Sequence, residues 1–439
     1  MSKKGGCLVN RTSKKYSFGQ TIKNLDWMTI LIVLILLGTG FITIYSITSV
    51  LMYNNDFDDP VHYIIRQGLG TILGVIGIGI ILLIPYQKIK SLSYLAFTGN
   101  IIILLITLLI GTGPGVKSWI EIGPLMLQPA EFVKIGIILA IAWFISTQRA
   151  YFRHLSFLKM ITTLFEPIPL GKKISRYLVS PWGMLGYTAL ALVLIMLQPD
   201  LGTGLIIMAT GITMVLCSGV RLKTVLQLVL VLSIMFTGVW NLKDSLLESH
   251  QLERFLAWEN PFNYADGIGY QNIMGYTAIA LGGMDGSGIG QGIHKYGYVV
   301  EPHNDFIVSI VSEEFGCAYV LFMIGLYFLM SFRMVKSGLK SNDVFATMTC
   351  IGVGVCFLIQ VIINLGGVSG TIPMTGVTLP FVSYGGTSVM TSFFLLGVYL
   401  NVDHHIKREN KEKLRKEFMR EYEKNQSKQT QIQTLHKDI

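Results

Sequence analysis

Apolar residues in this chain do not alternate with polar ones as on a half-buried strand; they run on. Stretches of roughly 18 or more, the length a helix needs to cross a hydrocarbon core, fall near 28–52, 67–86, 91–111, 128–146, 182–199, 201–219, 224–241, 306–331, 345–366 and 385–402. The pattern predicts an all-α integral membrane protein with about ten transmembrane helices and both termini on one side. The fifth and sixth runs meet at Gln198, Pro199 and Asp200, which suits a tight helical hairpin with proline as the breaker. The basic start of the chain resembles the charged leader of a signal peptide. The run from Met28 to Met52 is too long for a cleaved signal core, so it is read as the first span.

Composition agrees. Of the 439 residues 51% are hydrophobic and 14% charged, against about a quarter charged in ordinary soluble chains, which excludes a soluble globular enzyme. The net charge of +9 suggests nucleic acid only until its distribution is considered. With alternating loops assigned to opposite faces, 29 of the 35 Lys and Arg fall on the side of the termini. By the positive-inside rule both termini are cytoplasmic, and the basic excess is a topology signal and a lipid-surface contact, not a nucleic-acid site. The organisation is then a basic cytoplasmic segment 1–27, a polytopic domain 28–402, and a charged cytoplasmic tail 403–439 that reads as a solvated helix. The five cysteines show no CxxC or His-rich context, so neither a disulfide framework nor a zinc site is expected.

The large extracytoplasmic loop 242–305, between helices 7 and 8, holds eight acids and three bases. A structureless loop of that length would be unusual, so a functional, partly helical segment is expected. Its middle runs from an amphipathic stretch into a glycine cluster from Gly282 to Gly292. The GxGxxG-like spacing there follows no strand, so the cluster reads as a flexible turn that lets backbone approach a ligand or the membrane.

Ionisable groups at membrane depth cost at least about 2.5–3.5 kcal/mol each and therefore mark candidate sites. They gather at the outer ends of the predicted helices: Arg66, Glu131 with Lys134, Asp200, and Asp305 followed by Glu313 and Glu314. Glu131 and Lys134 share a helix face at i, i+3 behind Pro129; they form either a self-contained ion pair or one that also positions a substrate. Asp305 is either the N-cap of helix 8 or a water-boundary carboxylate facing a polar head group. The stretch 366–388 carries no charge and is rich in glycine. Irregular backbone of that kind beside a membrane must be buried in protein or line a cavity, so it is expected to wall the same site.

Four ordered motifs carry a resemblance: KSWIEIGPLMLQPAEFVK (117–134), QPDLGTG (198–204), EPHNDFIVSIVSEEFG (301–316) and GVTLPFVSYGGTS (376–388). The chain resembles the SEDS family (shape, elongation, division and sporulation), the bacterial FtsW and RodA group, from about residue 26 to 402. That resemblance implies a multi-pass protein of the bacterial cytoplasmic membrane that polymerises glycan strands from lipid II. It also implies dependence on a divalent cation, Mg²⁺ or Mn²⁺, and partnership with a class B penicillin-binding protein and other division or elongation membrane proteins. Asp305 matches the family's essential aspartate, with Asn304 and Ala130 standing where threonine and serine are commoner. Glu131, Lys134, Asp200, Pro380 and Ser383 match further family positions.

The chemistry expected is glycosyl transfer with an undecaprenyl pyrophosphate leaving group. Asp305 is the expected general base and a possible metal ligand; the metal's other ligands stay unassigned. Arg66, Lys117 and Lys134 are the bases available to offset pyrophosphate charge. Two rivals from other classes are a lipid II flippase and a noncatalytic scaffold of the division or elongation machinery.

Overall fold

The computed structural model describes residues 24–51, 61–112, 118–122, 125–148, 181–198, 200–220, isolated positions up to 230, 249–299 and 301–435. Lys117, Pro199, the first 23 residues and nearly all of the expected span 224–241 lie outside the described residues. Regular structure in the described chain is helical apart from one antiparallel hairpin, β1 (Ile120–Ile122) paired with β2 (Leu125–Leu127).

The helices follow the apolar runs. They are α1 (Trp27–Leu51), α2 (Val61–Leu83), the short α3 (Tyr86–Leu92), α4 (Leu95–Ile110), α5 (Pro129–Thr147), α6 (Pro181–Met196) and α7 (Leu201–Cys217). After them come α8 (Ser249–Glu259), α9 (Tyr270–Gly282), α10 (Ile307–Phe315), α11 (Cys317–Gly338), α12 (Val344–Val368) and α13 (Gly386–Leu435). Five of these, α1, α2, α5, α11 and α12, contain stretches long and apolar enough to cross a membrane. Their surfaces support that reading. Along α2, Ile65, Leu69, Ile72, Ile76, Ile80 and Leu83 are all exposed. A helix apolar on its outward as well as its inward face belongs in lipid.

α12 is the central post, packed by α5, α7, α11 and α13. Side-chain size decides how near a neighbour comes. On α2, Gly70, Gly74 and Gly77 face α13 so closely that a Cβ on Gly77 would lie 1.9 Å from the Phe394 ring. Such small-residue stripes let helix backbones approach where lipid supplies no hydrophobic drive. At the other end of the bundle Asp26 accepts hydrogen bonds from Thr29 and Tyr399 and an ion pair from Arg333, tying the start of α1 and the far parts of α11 and α13 together.

Two expected boundaries are corrected. The run 306–331 is not one span: Gly316, at φ 87°, breaks it into α10 and α11. A Cβ there would sit 2.2 Å from the Met284 carbonyl, so only glycine admits the chain that crosses this corner. The span 385–402 and the charged tail are a single helix, since nothing between Val402 and the Lys- and Glu-rich continuation breaks α13 before Leu435. As expected, the uncharged stretch Ser369–Gly385 is irregular, and the loop 242–305 contains helices, α8 and α9.

Candidate active site

The starts of α2, α5, α7 and α13 and the end of α12 are drawn to one end of the bundle by contacts among the segments that join them. There the turn 301–306 enters α10. Its first residue, Glu301, holds φ at 48°, and Asn304 donates to the Glu301 carboxylate at 2.8 Å, closing the turn locally. Phe306, 1% exposed, anchors the far side; the missing Cβ of Gly275 on α9 makes room for its ring.

The backbone of this turn is fastened to the uncharged segment 369–385 in two places. Asn364 Nδ2 on α12 donates to the Asp305 carbonyl at 3.0 Å and to the Val377 carbonyl at 2.7 Å. The Tyr384 amide donates to the His303 carbonyl at 2.9 Å. The rings of Tyr63, His303 and Tyr384 then form a trio with centroids 4.5–5.3 Å apart, and Arg66, one turn along α2 from Tyr63, hydrogen-bonds Tyr384. Asp305 is thus set in a rigid turn without its carboxylate being consumed.

The cap position of α10 is Phe306, with no side-chain cap, so the reading of Asp305 as the helix cap is set aside. Its carboxyl is pushed up to about 6 by burial, opposed by nearby backbone amides and by the charge of Arg254. His303 next door is held down to about 4, also by burial, and its ring is neutral at pH 7. Arg254, on α8, lies across Gly376: at φ 74° that glycine offers no Cβ, and the guanidinium approaches to 3.6 Å of where one would be. Trp258, one turn along α8, pins the helix by donating to the Gly370 carbonyl at 2.8 Å.

The other expected site residues form a layer beneath. Lys134 donates to Glu131 at 2.9 Å and to Gln360 at 3.2 Å, and Gln360 donates on to the Thr378 carbonyl at 2.9 Å. Glu131 also accepts from Thr391 on α13. Gln360 and Asn364 are one turn apart on α12, so the ion pair supports the same irregular segment that Asn364 ties to Asp305. Lys134 is 2% exposed, which places it as a prop of that wall.

Asp200 caps α7, accepting from the Thr203 amide at 3.0 Å and from Gln128 at 2.7 Å. Gly202 then abuts Val377 and Thr375 so closely that a Cβ would clash. Ser383 Oγ accepts from the Leu379 amide at 2.8 Å, and the Pro380 carbonyl accepts from Tyr327; both shape the turn around Phe381, which holds φ at 66°.

Sequence reasoning passed over Arg254 as an ordinary loop base. Its only sequence signal was an isolated cation in an acidic segment; the fold of α8 against Gly376 and Gly370 was needed to bring it to Asp305.

The comparisons with known proteins agree with this architecture. Residues 26–408 match the FTSW_RODA_SPOVE family, described as cell cycle protein, and the chain belongs to that family. It is 34% identical over 409 residues to the probable peptidoglycan glycosyltransferase FtsW of Bacillus subtilis, covering 89% of this chain and 94% of the relative. It is 32% identical over 383 residues to stage V sporulation protein E of the same organism, covering 87% and 97%. Among solved structures, a chain of a peptidoglycan synthase complex aligns with TM-score 0.66 at 24% identity, covering 87% of this chain and 98% of that one. The Thermus thermophilus rod shape determining protein RodA aligns with TM-score 0.57 at 22% identity, covering 86% and 96%. These structures share the fold.

Proposed function

We propose that this protein is a peptidoglycan glycosyltransferase that joins lipid II molecules into glycan strands in bacterial division or elongation, with Asp305 as general base. The observation that carries the proposal is the state of the Asp305 carboxylate: fixed at its backbone, half-buried, raised toward neutrality and left uncapped. A base with that setting can take up a proton near neutral pH. The family relatives named as peptidoglycan glycosyltransferases supply the substrate class.

In this reading the acceptor sugar's hydroxyl loses its proton to Asp305 as its oxygen bonds to the donor's anomeric carbon. The bond from that carbon to the pyrophosphate oxygen breaks, with inversion, and undecaprenyl pyrophosphate leaves. Arg254 and Arg66 stand at the rim to offset the phosphate charge. Lys134, consumed by Glu131 and Gln360, does not.

The family resemblance also implies a divalent cation. Among the described residues no group of three or more His, Cys, Asp or Glu converges to cage a metal. Asp305 and Glu301, oxygen donors on one turn, would be the residues to hold Mg²⁺ or Mn²⁺, ions that favour carboxylate oxygens. When bound, the ion would help neutralise the leaving group.

The membrane assignment is refined in the same proposal: ten spans in the bacterial cytoplasmic membrane, both termini cytoplasmic, and α8, α9 and the Asp305 turn at the outer face, as the Lys and Arg distribution indicates. A class B penicillin-binding protein is the proposed partner; the structural neighbour from a peptidoglycan synthase complex supports it.

The test is purified protein, alone and with its partner, given lipid II and Mg²⁺ or Mn²⁺ in detergent, where there is no second leaflet to flip into. Glycan strands are the expected product. Their absence with partner and metal present overturns the enzyme assignment and leaves the flippase and scaffold readings standing.

A further inference from the structure

The segment from Leu281 to Tyr298 presents an unusual surface for a loop. Leu281, Met284, Ile289, Ile293, Tyr296 and Tyr298 are each 47–61% exposed. Its only exposed charge is Asp285, because Lys295 and His294 are turned inward onto Glu314 and Glu313. Six large exposed apolar or amphipathic side chains with one exposed charge in eighteen residues would be an aggregation hazard in water.

The segment is also continuous with a surface that faces lipid. The Cys317 amide donates to the Gly283 carbonyl at 2.9 Å and the Ala318 amide to the Met284 carbonyl at 3.2 Å, so the loop is stitched to the first turn of α11. One turn further along that helix Leu321 and Phe322 are exposed, followed by Phe328 and Phe332, and α11 is one of the helices able to cross a membrane.

Irregular backbone survives near hydrocarbon only if protein satisfies its polar groups, and here it does. Ser287 and Gly288 donate their amides to the Glu313 and Glu314 carbonyls, and Ile293 and His294 donate theirs to the Glu313 carboxylate. The glycines that looked like a flexible turn are what permits this. A Cβ at Gly286 or Gly292 would strike the α10 backbone or the Glu313 carboxylate. The backbone turns inward and the apolar side chains are left outward.

We propose that the segment 281–298 is a membrane-seated foot: its apolar side chains rest in the head-group and upper acyl region of the leaflet at the Cys317 end of α11. The occupant is lipid. Tyr296 and Tyr298 are the residue type favoured at that depth, and the exposed Asp285, Ser287 and Gln291 set it at the boundary and not in the hydrocarbon core. This inference rests on α11 as a span and is independent of the chemistry assigned to Asp305. Its consequence is geometric: the foot is clamped to α10, at whose start Asp305 stands, so the candidate base is indexed to the depth at which a lipid-linked substrate carries its phosphates.

The test uses full-length protein in nanodiscs of phosphatidylethanolamine and phosphatidylglycerol. In a background with native cysteines replaced, Met284→Cys, Ile289→Cys and Asp266→Cys, the last in the exposed connection between α8 and α9, each carry an environment-sensitive fluorophore. Acyl-brominated lipid is expected to quench positions 284 and 289 at least about twofold more than position 266, with the reverse order for aqueous iodide. Because a labelled variant can misfold, the unmodified protein is also photolysed with a diazirine-bearing lipid. Adducts are expected on peptides within 281–298 and on α11, and not on 260–268. Adducts on α11 alone overturn the proposal while leaving the span intact. Equal quenching at all three sites, or iodide access at 284 and 289 that disappears only when another membrane protein is added, overturns it in favour of a water-exposed or protein-binding surface.

Discussion

Asp305 and the pair Glu313–Glu314 stand at the two ends of one short helix, yet their surroundings are opposite. Each glutamate has its own partner. Glu313 accepts from the ring of His294 at 2.9 Å and from the Ile293 amide at 2.8 Å. Glu314 accepts from Lys295 and from Ser46 on α1, both at 2.6 Å. Consecutive residues of the glycine-rich loop thus clamp consecutive residues of α10, all of them buried. Asp305 has no such partner: its backbone is held and its carboxylate is left free to change protonation, with Arg254 acting on it only through its charge. Acids that the fold satisfies build structure. An acid that the fold positions with backbone amides and through-space charge, and not with a cation in direct contact, is where proton chemistry is to be sought.

The largest expected effect tests the free end. Asp305→Asn keeps size and polarity and removes the base, so polymerisation should fall about 10²–10⁴-fold. Since the native carboxyl is raised by burial, its ionisation opposes folding. The linkage sign is that this group's contribution to stability is greatest below its unfolded value near 3.8 and declines as pH rises through about 6. At pH 7 the amide variant should therefore melt no lower than the parent. A variant that both melts early and retains activity per folded molecule would erase the contrast.

The clamped end should behave the other way. Lys295→Ala strands Glu314 in a buried site, for which losses of about 3–5 kcal/mol are typical. Activity should fall only in proportion to the folded fraction, and Lys295→Met with Glu314→Leu should recover stability. If the single variant is as stable as the parent but slow at every substrate concentration, the clamp belongs to the chemistry.

A smaller effect is expected at the second buried pair. Lys134→Met leaves Glu131 with Thr391 as its remaining side-chain donor, and it removes a donor from Gln360. It should destabilise by about 2–4 kcal/mol, and a charge-swapped double variant should recover only part, because Gln360 must still orient toward Thr378. Strictly additive losses in the double-mutant cycle, read by thermal unfolding, would remove the coupling.

How much of this contrast was legible in the sequence differs from residue to residue. The helical membrane character was, because long apolar runs have few alternatives, and five of the described helices are long and apolar enough to cross a membrane. So was the gathering of Arg66, Glu131, Asp200 and Asp305 at one end, because topology alone assigns helix ends to faces. The break at Gly316 was not: the apolar run continues across it, and glycine is common within membrane helices. Nor could the sequence separate Asp305 from Glu313 and Glu314, since acids close in sequence look alike until one knows which cations the loop folds back onto them. Nothing in the sequence singled out His294, and Lys295 read only as one of three bases in an acidic loop; they become a clamp only when the glycines let the loop close over α10. Arg254 was hidden for the same reason, its proximity to Asp305 depending on α8 lying across Gly376.

Arg254 gives the smallest and most discriminating effect. Its positive charge opposes the burial that raises Asp305, and it is exposed at the rim, so Arg254→Gln should leave the fold intact. If Asp305 acts as a base, kcat/KM falls as pH drops through the carboxyl's titration and levels off above it, with the inflection near the raised value of about 6. Removing the guanidinium takes away a charge that favours the ionised form, so the inflection must move to higher pH. Exposure and screening by salt keep that move to a fraction of a unit, larger at low ionic strength. Activity on the plateau would also fall if Arg254 offsets pyrophosphate charge, but that loss is independent of pH and separable from the shift. A plateau loss with an unmoved inflection would leave Arg254 as a phosphate contact and detach it from Asp305. An inflection that moves to lower pH would mean that the titrating group is not a carboxylate facing this cation, and the contrast between the two ends of α10 would lose its chemical half.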